Sequence, residues 1–148
     1  MTTATNALST THDLSKPRFQ VDDLVITTKG YMFKLVGRTE DGEHWLDVLT
    51  GITWGPVEKG HYTLEEAWEQ FGDALPTLDQ YKEADDHGIY EALCDIDSEE
   101  FEDAWFSTRS RSQTGNRGYA YCMTSEGHCF TLFEKGSRAV AYVRLIKT

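Results

Sequence analysis

The chain reads as an α+β protein in which sheet and helix are segregated. Three observations predict this. Short β-branched runs separated by glycine turns fill the first third. Two capped helical segments follow in the middle, and paired strand-like runs return in the last third. Elements grouped in this way, rather than alternating strand by helix, point to antiparallel sheets with helices packed against them.

Taken in order, residues 1–17 are rich in Thr, Ser, Ala and Asn, lack periodicity and read as a flexible N-terminal tail. Residues 18–148 then form a single domain, a size that matches the roughly 100–200 residues usual for one domain. Leu24 to Thr28 is the first strand run, Lys29-Gly30 a turn, and Tyr31 to Val36 the returning strand. Asp41-Gly42 is the next turn signal, and His44 to Leu49 completes a β-meander. Thr50-Gly51-Ile52-Thr53-Trp54 leads out of it as a turn and a core tryptophan.

Thr63 begins the clearest helix. Glu66 stands three residues on, the spacing of a capping box, and Leu64, Ala67, Trp68 and Phe71 make one apolar stripe before Gly72 ends it. Thr77 and Gln80 repeat the device, with Leu78, Tyr81 and Ala84 inward and Gly88 as the stop. Ile89 to Leu93 adds a short helical turn. Residues 107–118 read as a long polar loop. Gly118 to Met123 and His128 to Phe133 then flank a four-residue loop as a hairpin, and Ala139 to Ile146 is apolar enough for a central final strand.

Several of these segments resemble a known family when taken together. Leu46-Asp47-Val48-Leu49-Thr50-Gly51-Ile52-Thr53-Trp54 resembles the family's opening "D-x-x-T-G-L-T-W". Thr63-Leu64-Glu65-Glu66-Ala67 resembles its "T-x-E-E-A" helix start, and Leu75-Pro76-Thr77 its "R-L-P-T" turn. Trp105-Phe106-Ser107-Thr108 resembles "W-S-S-T", and Tyr142-Val143-Arg144 the closing "Y-V-R-C-V-R" strand. In this order they resemble the Lcl C-terminal domain family over residues 44–146. The resemblance implies a C-type-lectin-like fold with two short helices and antiparallel β-meanders. Ala74 stands where the family carries Arg before Leu-Pro. The Glu-Pro-Asn and Trp-Asn-Asp calcium motifs of the carbohydrate-binding branch do not occur in the sequence.

Charge narrows the function classes. The 148 residues carry a net charge of −11. It is unevenly placed: residues 106–148 hold seven Lys and Arg against two acids, so the acidity lies in the first two thirds. Phosphate would be repelled by such a chain, so direct nucleic-acid binding is not expected. No segment approaches the roughly 20 apolar residues of a membrane span, and the start lacks a basic and apolar leader. The expected setting is the cytoplasm or a particle assembled there. A phage or mobile-element origin suits a family member without an export signal.

Two surfaces are candidates for contact. The acidic run from Asp95 to Asp103 offers Asp95, Asp97, Glu99 and Glu100 to a basic partner, or is a solvated face. The polar loop carries Arg109, Arg111 and Arg117, which either grip carboxylate or phosphate through bidentate contacts or balance the acids internally. Cys122 and Cys129 would face each other across the hairpin, as core thiols, a disulfide or a reactive pair. Asp85, Asp86, His87, Cys94, Asp95 and Asp97 are the raw material for a metal, without metal-ligand spacing. Trp45, Trp54, Trp68 and Trp105 read as core rather than as a binding platform.

No phosphate loop, nucleophile elbow or acid/base dyad is legible. The sequence therefore points to a non-enzymatic binding module without metal or cofactor. Its partner is a protein, with a second copy of the chain as a further candidate. The alternative is an acidic, DNA-mimic-like inhibitor that blocks a nucleic-acid-binding protein.

Overall fold

The computed structural model describes residues 18–93, 104–112, 117–122, 129–133 and 141–148. Within them the protein is α+β, with two helices and two antiparallel sheets. Strands β1 (Leu24–Ile26), β2 (Met32–Thr39), β3 (Gly42–Asp47) and β4 (Thr53–Val57) come first. Helices α1 (Leu64–Phe71) and α2 (Leu78–Asp86) follow, and then β5 (Phe106–Arg111), β6 (Arg117–Tyr121), β7 (Cys129–Phe133) and β8 (Arg144–Lys147). One sheet has the order β1-β2-β3-β4-β8 and the other β5-β6-β7.

The meander forms where the β-branched runs and turn glycines place it. Gly30 and Gly42 adopt positive φ, as the tight reversals require. The next turn is built by Asp47, whose Oδ1 accepts from the backbone N–H groups of Leu49 and Thr50. Gly51 closes that turn at φ 78°, and Trp54 follows buried in the core.

Both capping boxes are present. The Thr63 hydroxyl accepts from Glu66 N while Glu66 Oε1 accepts from Thr63 N, and Thr77 and Gln80 do the same for α2. Each satisfies backbone donors that a helix start leaves open. Gly72 caps the end of α1, and Gly88, at φ 84°, follows α2. A 3₁₀ turn over Ile89–Glu91 supplies the short helical segment expected there.

The main core lies between the inner face of the five-stranded sheet and α2. Phe33, Leu35, Trp45, Trp54 and Ile146 meet Tyr81, Ala84 and Ile89, with Phe106 and Tyr121 reaching in from the second sheet. Trp45 and Trp54 are fully buried, whereas Trp68 and Trp105 pack half-buried against smaller clusters.

Three expectations are corrected. The long polar loop is mostly strand: Phe106–Arg111 pairs with Arg117–Tyr121, and only residues 113–116 between them lie outside the described residues. Phe106, Ser107 and Thr108 are buried in succession while Arg109 and Arg111 are exposed, and this irregular pattern, with its register shift after Ser107, let a strand pass for a loop. The final strand is shorter than expected and occupies an edge position of the sheet beside β4 rather than its centre. In the hairpin, Cys129 pairs with Tyr121 and not with Cys122. Cys122 is buried, Cys129 is exposed, and neither is in a disulfide.

Candidate functional site

The inner face of the five-stranded sheet is consumed by the core, so the outer face is what the fold presents. Cross-strand register sets it out. One row reads Leu24, Lys34, Leu46, Thr53 and Lys147 across all five strands. The neighbouring pair is Ile26 and Met32, and Val48 N bonds to Met32 O just beyond.

Half of this face is apolar and open. Ile26 and Leu49 are 69% and 70% exposed, Leu24 55%, and Met32, Val36 and Val48 are also exposed. Single exposed apolar side chains are ordinary, but Leu24, Ile26, Met32 and Val36 on β1 and β2, with Val48 and Leu49 exposed in the turn after β3, make a collection of the kind that marks a contact surface. Strand β1 pairs only with β2, so its other edge is free of any described strand. Lys34 and Asp22 form an ion pair of 3.5 Å within this half.

The other half is a trough. A bulge between Leu35 and Gly37 changes the parity of β2, so that Gly37 pairs with His44 and Thr39 with Gly42 on the outer side. The trough encloses about 330 Å³ and is walled by Thr39, His44, Thr53 and Lys147 over Pro56, Leu145 and Ala74. A shallower extension passes over Val36 and Gly37. Gly55 forms the floor beneath the imidazole: a Cβ there would stand 3.4 Å from His44 Cε1 and 3.2 Å from Leu145 O. Thr39 Oγ1 lies 3.4 Å from His44 Nε2.

The arginines expected to act together are placed as follows. Arg109 and Arg111 stand exposed on β5, and Arg117 is half-buried at the start of β6. Arg109 forms a 3.7 Å pair with Asp73, whose side chain is fully exposed; such a pair is weak and leaves the guanidinium accessible. The Arg111 guanidinium lies 3.8 Å over the Trp68 ring, a cation–π contact. Asp95, Asp97, Glu99 and Glu100 lie outside the described residues, as does Cys94.

Two titratable clusters went unread in the sequence because their members are distant along the chain. His87 Nδ1 and Asp47 Oδ2 are 2.6 Å apart and buried, with Tyr31 stacked on the imidazole at 3.8 Å. Thr27 Oγ1 donates to the His87 carbonyl. This unit ties the end of α2 to the β3–β4 turn. Among the described residues no group of three or more His, Cys, Asp or Glu is arranged to hold a metal ion.

The second cluster is Asp85 and Tyr121, whose hydroxyl donates to Asp85 Oδ2 at 2.6 Å. Burial lifts the Asp85 carboxyl above its ordinary 3.8, the Tyr121 hydrogen bond opposes this, Asp86 adds to it and Lys29 lowers it. Burial also pushes the Tyr121 phenol upward, reinforced by Asp85, Asp86 and Cys129. A carboxyl raised in the fold contributes stability that is complete below its unfolded value and is lost as pH rises through the folded one. Asp85→Asn keeps an acceptor for Tyr121. Its melting temperature relative to the parent protein is therefore expected to be higher near neutrality than well below pH 3.8; a difference independent of pH would contradict this assignment.

No helix among the described residues is long and apolar enough to cross a membrane. No protein-family model, characterised protein or solved structure matches the chain.

Proposed function

We propose that this chain is a non-enzymatic protein-binding module with a C-type-lectin-like fold, docking through the apolar half of its outer sheet face. The lectin-like reading is supported by the order of elements: a meander, two capped helices, a second antiparallel sheet, and a last strand that returns to the first sheet. The observation that carries the binding reading is the exposure of Leu24, Ile26 and Met32 on the outer face of β1 and β2, with exposed Val48 and Leu49 in the turn after β3. Burying such side chains against a partner contributes roughly 25 cal/mol for each Å² of apolar surface removed from water.

The partner's chemistry follows from the surroundings. Asp22 and Asp23 rim the patch and the chain carries −11 overall, so an apolar protein surface edged with Lys or Arg complements it, while phosphate does not. Arg109, Arg111 and Arg117 on the second sheet, and the acids Asp95, Asp97, Glu99 and Glu100, are proposed as secondary contacts.

Ile26→Asp with Leu49→Asp tests this reading in a pull-down from the native host. Both positions are solvent-facing, so circular dichroism should be unchanged while the specific partner is lost. A partner retained by this double variant but lost when Asp95, Asp97, Glu99 and Glu100 are neutralised would replace the sheet-face reading with that of an acidic inhibitor.

A further inference from the structure

The trough beside the apolar patch has a charge order that the protein-docking reading does not use. Lys147 stands opposite Thr53 at one end. Glu58 lies five residues further along the chain from Thr53, at the other end, and Asp41 of the β2–β3 turn joins it in the lining. The bulge between Trp54 and Val57 shortens β4, so the span is read along the partner strand, where Val143 O accepts from Glu58 N and Lys147 stands opposite Thr53: four residues at about 3.3 Å each place the two ends roughly 13 Å apart. Between them run His44, Thr39 and Thr53 as hydrogen-bonding groups, and Pro56, Leu145 and Ala74 as apolar floor and wall. Arg38, in the shallow extension, is already bonded to Glu43 at 2.6 Å and to the Phe19 carbonyl. Lys147 is thus the cation positioned for an incoming carboxylate, and Glu58 with Asp41 the anions positioned for an incoming amine.

We infer that this trough binds a short zwitterionic peptide of about three residues, extended along the strands, with its α-amine toward Asp41 and Glu58 and its α-carboxylate toward Lys147. Three features of the site match that ligand. The separation of the charged ends exceeds the reach of a single amino acid, while an extended tripeptide spans roughly 10 Å and the Lys and Glu side chains cover the remainder. The apolar floor accommodates an aliphatic side chain. The Gly37 and Gly55 positions carry no side chain that would fill the space above the sheet, since a Cβ on Gly37 would meet nothing within 4 Å and one on Gly55 would press on the Leu145 carbonyl and touch His44. The trough's shallow extension reaches Val36 of the patch, but its charged groups lie elsewhere, in the β2–β3 turn, at the end of β4 and on β8, away from Ile26 and Leu49.

The test is a titration of the isotope-labelled full chain with trileucine, followed by backbone amide shifts, beside N-acetylated and C-amidated trileucine. Shifts are expected at His44, Thr53, Gly55 and Lys147 with the unblocked peptide, and binding about tenfold weaker for each blocked form, the size of one lost charge-assisted contact. Lys147→Ala should weaken the unblocked peptide to the level of the C-amide and leave the C-amide unaffected; Glu58→Gln should do the same for the N-acetylated form. Both side chains reach solvent, so both variants should fold, as the unliganded spectrum verifies. Absence of trough shifts at millimolar peptide, or equal binding of the three peptides, would overturn the assignment. Variants of Ile26 and Leu49 should leave this titration unchanged, which separates its outcome from that of the protein-docking reading.

Discussion

Replacing His87 with alanine is expected to destabilise the fold by about 3–5 kcal/mol, the range found when one member of a buried pair is removed. The reason is local. Asp47 is 1% exposed and His87 5%, so no solvent stands ready to replace the lost 2.6 Å contact at Asp47 Oδ2. The change also removes the ring that stacks on Tyr31. Asp47→Ala should cost a similar amount, because it strands the His87 Nδ1 and the amide groups of Leu49 and Thr50 that shape the β3–β4 turn. Asp47→Asn retains an acceptor for those amides and offers an amide donor to the imidazole, so its cost should be nearer 1 kcal/mol. Urea unfolding of the three variants gives the ordering. Equal midpoints for Asp47→Ala and Asp47→Asn would show that the turn, and not the hydrogen bonds, sets stability here.

Gly118→Ala should have the next largest effect. A Cβ at this position would lie 2.5 Å from Trp68 Cζ2 and 2.7 Å from Leu64 Cδ2. The indole has little freedom to withdraw: its Nε1 donates to the Thr108 carbonyl at 2.9 Å, and Arg111 covers its face. Overpacking at such a point costs about 1–3 kcal/mol, with valine worse than alanine. The same change should disturb Arg111, which pairs with Gly118 across the strands. Tryptophan fluorescence and thermal melts report both consequences. An unchanged melting temperature would mean that α1 moves freely relative to β6.

These two sites illustrate different degrees of legibility. Gly118 lies at the head of a strand run that the sequence marks plainly, but nothing adjacent to it reveals that Trp68, fifty residues earlier, lies against its backbone. Asp47 and His87 are forty residues apart, and each has an ordinary local reading, one within the strand run His44 to Leu49 and one beside the acids Asp85 and Asp86. The Cys122–Cys129 expectation failed by a single residue of register, which the pattern around a loop of uncertain length does not constrain. The arginine segment failed because a run of Ser, Thr and Arg is polar throughout, and nothing local to it reveals that Ser107 and Thr108 are buried.

What the sequence determined by itself are the features encoded within a few residues. The two capping boxes, the helix-ending glycines, the turn at Thr50-Gly51 and the antiparallel meander follow from local hydrogen bonding and steric rules, and they suffice for the α+β class. Tertiary structure alone decided which face of the first sheet is left open, where Lys147 sits relative to Glu58, and which thiol is buried. Those outcomes depend on strand register and on which layer α2 covers, and both are settled by the packing of residues far apart in the chain.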